Sequence, residues 1–421
     1  MKVKTMNINK FLVSILCFCL ASNLYAEHEA QKSNSNTLTL KTALEKAITS
    51  NLSLLALMKQ EGKYEGLVRQ AKVSPSPSLV IEAEDFAGNG EYKKTSSMKS
   101  SIGLSQTIET AGKRKKRIRI ANSTKTAEML KVEIAKKEMK LKVASSFFKL
   151  YQLENELEIQ KESIELARQT SESVNKRVTA GELAQIDSTR AYVEFTREET
   201  LKKHLELDIT SLKNEIATLL GEKTFEYKGI SVNSESFIKE ELSAPENINI
   251  EDLPELVLAK AELNLAESEY SMTKSERVSD IELTVNYSKY RATSDHAFAV
   301  EASIPLTRNS VKGKMQSAKA EVEAAKLCID SVNSEISAKI YTAFQEKESL
   351  TKEVHNLETM LLPSAKEAYE QIQTAFNSGE KSLLDLFDAK KSLLETELLH
   401  LELQCKLFNA ISEYAILTGQ M

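Results

Sequence analysis

The chain has 421 residues, of which 41% are hydrophobic and 28% are charged, with a formal net charge of −5 and no tryptophan. Its 12 glycines and 6 prolines make up about 4% of the residues, against roughly 12% in average proteins. Because β-sandwiches and doubly wound α/β folds need frequent turns, this scarcity excludes both and predicts mostly long helices. The near-balanced charge argues against a dedicated nucleic-acid-binding protein.

The first 26 residues have the pattern of a secretory signal peptide. Three lysines and the apolar run 11–20 precede Ala26, a small residue suited to cleavage. Removal of residues 1–26 leaves Cys328 and Cys405, too few for a disulfide framework. No other stretch reaches 18 consecutive apolar residues, so the sequence predicts an exported chain that is either soluble or a β-barrel.

The predicted elements occur twice along the chain. In the first half they are a helix over 38–73, strands over 79–83 and 102–108, and helices over 113–179 and 187–220. In the second half they are a helix over 253–275, strands over 281–287 and 298–304, and helices over 312–377 and 386–417. This duplication predicts a first structural repeat at 27–220, an irregular equatorial link at 221–252 and a second repeat at 253–421.

The longest predicted helices carry apolar residues at intervals close to 3.5 residues, which is typical of left-handed coiled coils. On the first helix the apolar stripe consists of Val132, Ala135, Met139, Val143, Phe147, Leu150, Leu153 and Leu157. On the second it consists of Val322, Ala325, Ile329, Val332, Ile336, Ile340 and Ala343. Pro363 is expected to restart the second helix, because proline suits a first turn.

The predicted strands have apolar side chains on one face only, as tilted membrane strands do. Alternation places Leu283, Val285, Val300 and Ile304 on that apolar face. The alternative is a pair of amphipathic hairpins packed on the helices of a soluble protein. Membrane barrels start at about eight strands, so strands that span a membrane must be pooled by several copies of this chain.

Three motifs carry a family resemblance. Residues 177–187 (RVTAGELAQID) and 375–388 (AFNSGEKSLLDLFD) resemble the helical turns of the TolC family of outer-membrane efflux channels. Residues 105–114 (SQTIETAGKR) resemble the strand-to-helix junction of its CzcC-like branch, which serves heavy-metal cation pumps. The resemblance implies a mostly α fold with a small β part. Long helical-barrel coiled coils continue four membrane strands per chain, which complete a twelve-stranded barrel in a homotrimer.

The same resemblance implies an exit duct in the outer membrane of a Gram-negative bacterium, extending into the periplasm. Its partners would be outer-membrane lipids, a periplasmic adaptor (membrane fusion) protein and an inner-membrane RND transporter, and its exported substrates would be heavy-metal cations. Two alternatives stay open. One is a drug-efflux or type I secretion channel, and the other is a periplasmic coiled-coil scaffold without a pore.

By resemblance, Asp385 and Asp388 line the periplasmic entrance of the duct, while Phe376, Lys381 and Asp187 hold it shut. Two aspartates three residues apart share one helix face, and threefold symmetry would stack them as carboxylate rings. Such rings favour cations, and crowding of like charges is expected to raise the pKa of some carboxylates.

The two helical turns are expected to be the periplasmic tips where the adaptor docks. Gly181 and Gly379 mark these turns, with Leu383 and Leu384 directly after the second one. Glycine suits a tight reversal because the backbone often needs a positive φ there.

Motifs for catalysis are absent from the sequence, which contains no P-loop, G-x-S-x-G or H-E-x-x-H pattern. The five histidines show no metal-ligand spacing. We therefore predict no enzyme activity, no cofactor and no metal site. The basic run at 113–119 is interpreted as a solvated helix start with a bias toward anionic lipid head groups, and not as a nucleic-acid site.

Overall fold

A computed structural model describes residues 37–232, 237, 242–306 and 311–421, so the predicted signal peptide lies outside the described residues. The first half contains, in order, β1 (Thr37–Leu38), α1 (Leu40–Ser50), α2 (Leu52–Lys59), α3 (Glu61–Ala71), β2 (Ser78–Glu84), β3 (Lys99–Ile108), α4 (Lys113–Thr179) and α5 (Gln185–Leu219). The second half contains β4 (Gly229–Ile230), α6 (Pro254–Ser275), β5 (Ile281–Tyr290), β6 (His296–Ser303), α7 (Lys312–Asn356), a π-helical turn (Leu357–Leu361), α8 (Leu362–Asn377) and α9 (Leu383–Leu417). Short 3₁₀ turns lie at Gly90–Tyr92, Pro245–Asn247 and Ile250–Asp252.

The longest helix, α4, has the predicted bounds and 67 residues, which corresponds to a length of about 100 Å. It packs against α5, α6 and α9. Its predicted apolar stripe is largely buried, with Val143, Phe147 and Leu150 almost inaccessible. The coiled-coil pattern therefore identified the packing face of this helix correctly.

Two predicted helices are interrupted. The helix expected over 38–73 is instead divided into α1, α2 and α3, with a break at Asn51. The Asn51 backbone is extended, its side chain accepts a hydrogen bond from Leu54 N (3.0 Å), and its Nδ2 donates to Leu219 O (3.0 Å). This residue therefore caps α2 and ties it to the end of α5. The helix expected over 312–377 contains the π-helical turn, and Pro363 lies in the first turn of α8, as predicted.

An apolar core lies where α1, α4, α5 and α9 meet. Phe147, Phe148 and Phe408 are fully buried in it, and the ring centroids of Phe148 and Phe408 are 5.9 Å apart. The short parallel pair of β1 and β4 borders the same core. This core fixes the middle of the long helices and leaves their two ends to form separate structures.

At one end of the long helices, four strands form an antiparallel sheet in the order β2-β3-β5-β6. One register row joins Leu79, Leu104, Val285 and Val300, so these apolar side chains share a face. No helix of the described chain is both long enough and apolar enough to cross a membrane.

Candidate functional site

The helical turns at Gly181 and Gly379 have the same conformation. The glycine φ angles are +83° and +84°, so the positive φ predicted for these reversals is confirmed. In each turn the residue after the glycine donates a backbone hydrogen bond to a carbonyl five residues earlier, Glu182 N to Arg177 O and Glu380 N to Ala375 O, both at 2.9 Å. These are Schellman motifs, which satisfy the free carbonyls at a helix end and demand a left-handed residue.

The two turns pack together at the end of the helices opposite the core. A cluster of buried side chains joins α4, α5, α8 and α9 there: Val174, Ala191, Tyr369, Phe376, Leu383 and Leu386. The structure therefore brings both motifs of the predicted entrance into one continuous tip. We call this region the paired tip, defined by the turns at residues 180–184 and 378–382 together with that cluster.

Arg177 links the two halves of the paired tip, and the sequence analysis missed it. Its guanidinium lies over the Phe376 ring at 5.1 Å from the centroid, and its Nη1 donates to Phe376 O at 3.4 Å. Its Nε also pairs with Glu182 at 3.2 Å. A basic residue in the last helical turn, inside a motif already singled out, was the available signal. Phe376 is thus buried within one chain.

Asp385 and Asp187 occupy the same position, the third residue, of α9 and α5. In α9 the N-cap residue is Ser382, and its hydroxyl and its backbone N–H both donate to Asp385 Oδ2 (2.7 and 3.0 Å). In α5 the N-cap residue is Ala184, which makes no side-chain cap, and Asp187 lies 3.8 Å from Arg190. The duplicated carboxylates therefore have different surroundings.

The hydrogen bonds from Ser382, the hydroxyl first, lower the pKa of Asp385 below its ordinary value. This is the opposite direction to the increase expected from crowded carboxylates. The predicted crowding concerns neighbouring copies and stays a prediction. Asp388, one turn further along α9, is exposed.

The remaining predicted tip residues differ in exposure. Leu383 is buried in the tip cluster, whereas Leu384 is 59% exposed. Ile186 holds the equivalent position at the start of α5 and is 55% exposed. Lys381 is also exposed. Leu384 and Ile186 are therefore the apolar side chains that the paired tip presents to solvent.

The basic run at the start of α4 is not a solvated helix start, so that interpretation was wrong. Lys113 is buried and pairs with Asp280 at 2.8 Å. Arg114 Nε donates to Lys72 O and Lys116 Nζ donates to Ser271 O, both at 2.9 Å. These cations satisfy carbonyls at the C-terminal ends of α3 and α6, a function that depends on remote segments.

The sheet at the other end has two unlike faces. On one face Ile102 and Leu104 are 51% and 60% exposed, whereas on the opposite face Ser101 and Ser105 are each 5% exposed. The partners that the sheet strands make along the described chain are chiefly each other, so this difference means that the sheet curves, with its polar face concave. The prediction that Leu283, Val285 and Val300 share the apolar face is confirmed by the register.

Comparisons with known proteins give a consistent result. A family model described as "Outer membrane efflux protein" matches residues 43–222 and 250–416. The chain is 23% identical to the cobalt-zinc-cadmium resistance protein CzcC of Cupriavidus metallidurans, over 86% of each chain. It is 24% identical to the cation efflux system protein CusC of Escherichia coli, over 90% of this chain and 86% of that protein.

Solved structures share the fold. A structure of CusC superposes with a TM-score of 0.77 at 19% identity, covering 90% of this chain and 91% of the other. The outer membrane protein VceC of Vibrio cholerae superposes with a TM-score of 0.76 at 16% identity, covering 90% and 96%.

Proposed function

The chain belongs to the outer membrane efflux protein family and is an outer-membrane protein, and from this premise we propose that it is the exit duct of a tripartite efflux pump. The duct is a homotrimer that extends into the periplasm, where it meets a periplasmic adaptor and an inner-membrane RND transporter. Its substrates are heavy-metal cations. The similarity to CzcC and CusC, whose names refer to cobalt-zinc-cadmium resistance and cation efflux, supports that substrate class.

The curved sheet is the observation that carries the proposal. Its convex face is apolar and exposed, its concave face is polar, and β2 and β6 each pair along one edge only. An unpaired strand edge in lipid leaves backbone groups unsatisfied at several kcal/mol each. Three copies pair these edges with one another and close a twelve-stranded barrel, which exceeds the minimum of about eight strands. A pore-less periplasmic scaffold gives no reason for an apolar convex face.

The paired tip has two functions in this proposal. Asp385 and Asp388 line the periplasmic entrance, and Asp187, Phe376 and Lys381 belong to the contacts that hold it shut. The structure supports the second function most directly through Phe376, which Arg177 binds through both its ring and its carbonyl.

Adaptor docking is the other function of the paired tip. The adaptor binds around Gly181 and Gly379, where Leu384 projects into solvent and Leu383 supports it from within the tip cluster.

A matched pair of substitutions on β6 tests the barrel. Val300 and Ala299 are adjacent, both are exposed in the single chain, and they lie on opposite faces of the sheet. Val300→Arg places a charge in lipid at a cost of roughly 2–4 kcal/mol per copy, so we expect heat-resistant trimers to disappear from outer-membrane fractions. Ala299→Arg faces the lumen and should assemble normally. Equal trimer yields from the two variants would contradict the barrel.

The substrate class is tested by growth. The chain is expressed together with its pump partners in a metal-sensitive host, and tolerance of zinc, cobalt and cadmium is compared with tolerance of organic dyes and detergents. We expect metal tolerance to rise and dye tolerance to stay at the host level. A gain in dye tolerance alone would favour the drug-efflux alternative.

A further inference from the structure

The concave face of the sheet carries carboxylates that no cation of the chain neutralises. Glu82, Glu282 and Glu301 lie on this face, and within the described residues none of them forms an ion pair. The acidic residue nearest the hairpin loops is different, because Glu84 pairs with Lys99 at 2.8 Å. The face is therefore negatively charged along most of its height.

Hydroxyl groups fix the most buried part of this face. Ser105 Oγ donates to Glu282 Oε1 at 2.8 Å and itself accepts from Thr284 Oγ1 at 2.9 Å. Ser101 Oγ lies 3.4 Å from Glu82 Oε2. Because only hydroxyls meet these carboxylates, their full negative charge stays available to a ligand.

A second observation points to a cation. Asn286 lies between these carboxylates on the concave face and is only 9% exposed, and its Oδ1 has no hydrogen-bond partner. This oxygen occupies the space over Gly103, where an added Cβ would lie 1.8 Å from it. Buried polar atoms are nearly always paired, and an amide oxygen beside carboxylates is a typical ligand of hard divalent cations.

We propose that this face is a cation-binding band, formed by Glu82, Glu282, Glu301 and Asn286, that selects divalent cations inside the barrel. The band rests on the proposed function, because three copies must close around it. It is separate from the aspartates of the paired tip, which lie at the opposite end of the long helices. The duct therefore selects for charge twice, once at its entrance and once at its exit.

The dimensions of the barrel make such selection effective. Twelve strands about 4.8 Å apart and tilted by about 40° give a backbone radius of about 12 Å. Glutamate side chains then hold their charges roughly 7–8 Å from the axis, which is less than the Debye length of about 10 Å at 0.1 M salt. At 1 M salt that length falls to about 3 Å, so the axis is screened. Selectivity from the band must therefore be strong at 0.1 M and weak at 1 M.

The test uses purified full-length protein in planar bilayers. We compare the wild type with the band variant Glu82→Gln/Glu282→Gln/Glu301→Gln, measuring the K⁺ to Cl⁻ permeability ratio in 0.1 M KCl and the block by Zn²⁺ added on the side of the hairpin loops. The band variant should lose most of the K⁺ preference, with the ratio falling toward about 1. It should also need more Zn²⁺ for half block, and Asn286→Ala should raise that concentration with little effect on the K⁺ ratio.

A matched control removes the same number of charges outside the lumen. Asp85→Asn/Glu91→Gln/Asp295→Asn changes three exposed acidic residues in the hairpin loops, and it should behave like the wild type. The single variants Glu82→Gln and Glu301→Gln, at exposed positions, give a partial effect should the triple variant fail to fold.

The outcomes separate the two proposals. Normal conductance with an unchanged permeability ratio and unchanged Zn²⁺ block in the band variant would overturn the band while leaving the duct intact. An equal effect from the loop control would overturn the location of the band. Absence of any channel from the wild-type protein would instead contradict the proposed function.

Discussion

At the scale of single residues, the two repeats use the same carboxylate position differently. Asp385 is part of a capping box with Ser382, whereas Asp187 follows an N-cap alanine. Because the pKa of Asp385 is lowered in the folded protein, this carboxylate stabilises the fold above its ordinary pKa. That contribution is lost as the pH falls through the lowered value.

Ser382→Ala removes the cap of α9 and should lower the free energy of unfolding by about 1 kcal/mol. The reciprocal change, Ala184→Ser, gives α5 the same capping residue and should stabilise it. Thermal unfolding in detergent, followed by circular dichroism, measures both. Equal midpoints for Ser382→Ala and the wild type would show that the capping box contributes nothing.

The two cysteines should differ in reactivity. Cys405 is buried, which raises the pKa of its thiol to about 12, whereas Cys328 is exposed. Since the thiolate is the reactive form, maleimide at pH 8 should label Cys328 in the native protein and Cys405 only after denaturation. Mass spectrometry of the labelled chain reads out both sites. Native labelling of Cys405 would contradict its burial.

Sequence reasoning succeeded at residues whose role is local and failed at those whose partners are remote. The positive φ of Gly181 and Gly379 follows from the turn itself. Arg114 could not be interpreted correctly, because its acceptor, Lys72 O, lies 42 residues away and is brought near only by packing. Arg177 is intermediate, since its position in the last turn of α4 was visible but the Phe376 ring beside it was not.

At the scale of elements, the bounds of α4 were predictable because its 67 residues contain no glycine or proline and one coiled-coil pattern continues through them. The break at Asn51 was not predictable from that pattern. An asparagine in a helical sequence ends the helix only where its amide finds partners, and one of them is Leu219 O, 168 residues away. Capping chemistry with a tertiary partner thus overrode periodicity.

The turn between α8 and α9 provides an element-scale prediction. Gly379 has φ +84°, a conformation that costs a β-branched residue of order 1–3 kcal/mol. Gly379→Val should abolish pump-dependent metal resistance while trimers still form. Gly379→Asn is the control, because asparagine tolerates this conformation best after glycine. Resistance tests and trimer yields decide between the two, and full resistance in the valine variant would contradict the docking role.

At the scale of the whole molecule, the element order of the second half repeats that of the first. We propose that the repeats divide at an equatorial link of residues 221–252, between 27–220 and 253–421. Periodicity and turn spacing were sufficient to predict this order, the sheet at one end and the turns at the other. The curvature of the sheet was not predictable, because it depends on how four strands from both repeats pack side by side.

The aspartates of the paired tip give the prediction at this scale. Asp385→Asn with Asp388→Asn should weaken the cation preference of the reconstituted duct and its block by multivalent cations added on the periplasmic side. Block from the opposite side should change little. Because Asp385 also completes a cap, Asp388→Asn alone serves as the cleaner variant. Unchanged periplasmic block in both variants would show that these residues do not line the entrance.

The π-helical turn before α8 has a mechanical consequence. It occurs in the second repeat, whereas the corresponding helix of the first repeat, α4, is continuous. A π-turn followed by Pro363 disrupts consecutive backbone hydrogen bonds, so helix stiffness is lowest there. The 16 residues of α8 form a lever about 24 Å long. A rotation of about 10° at its pivot would swing the Gly379 turn by about 4 Å, while the first repeat acts as the fixed frame.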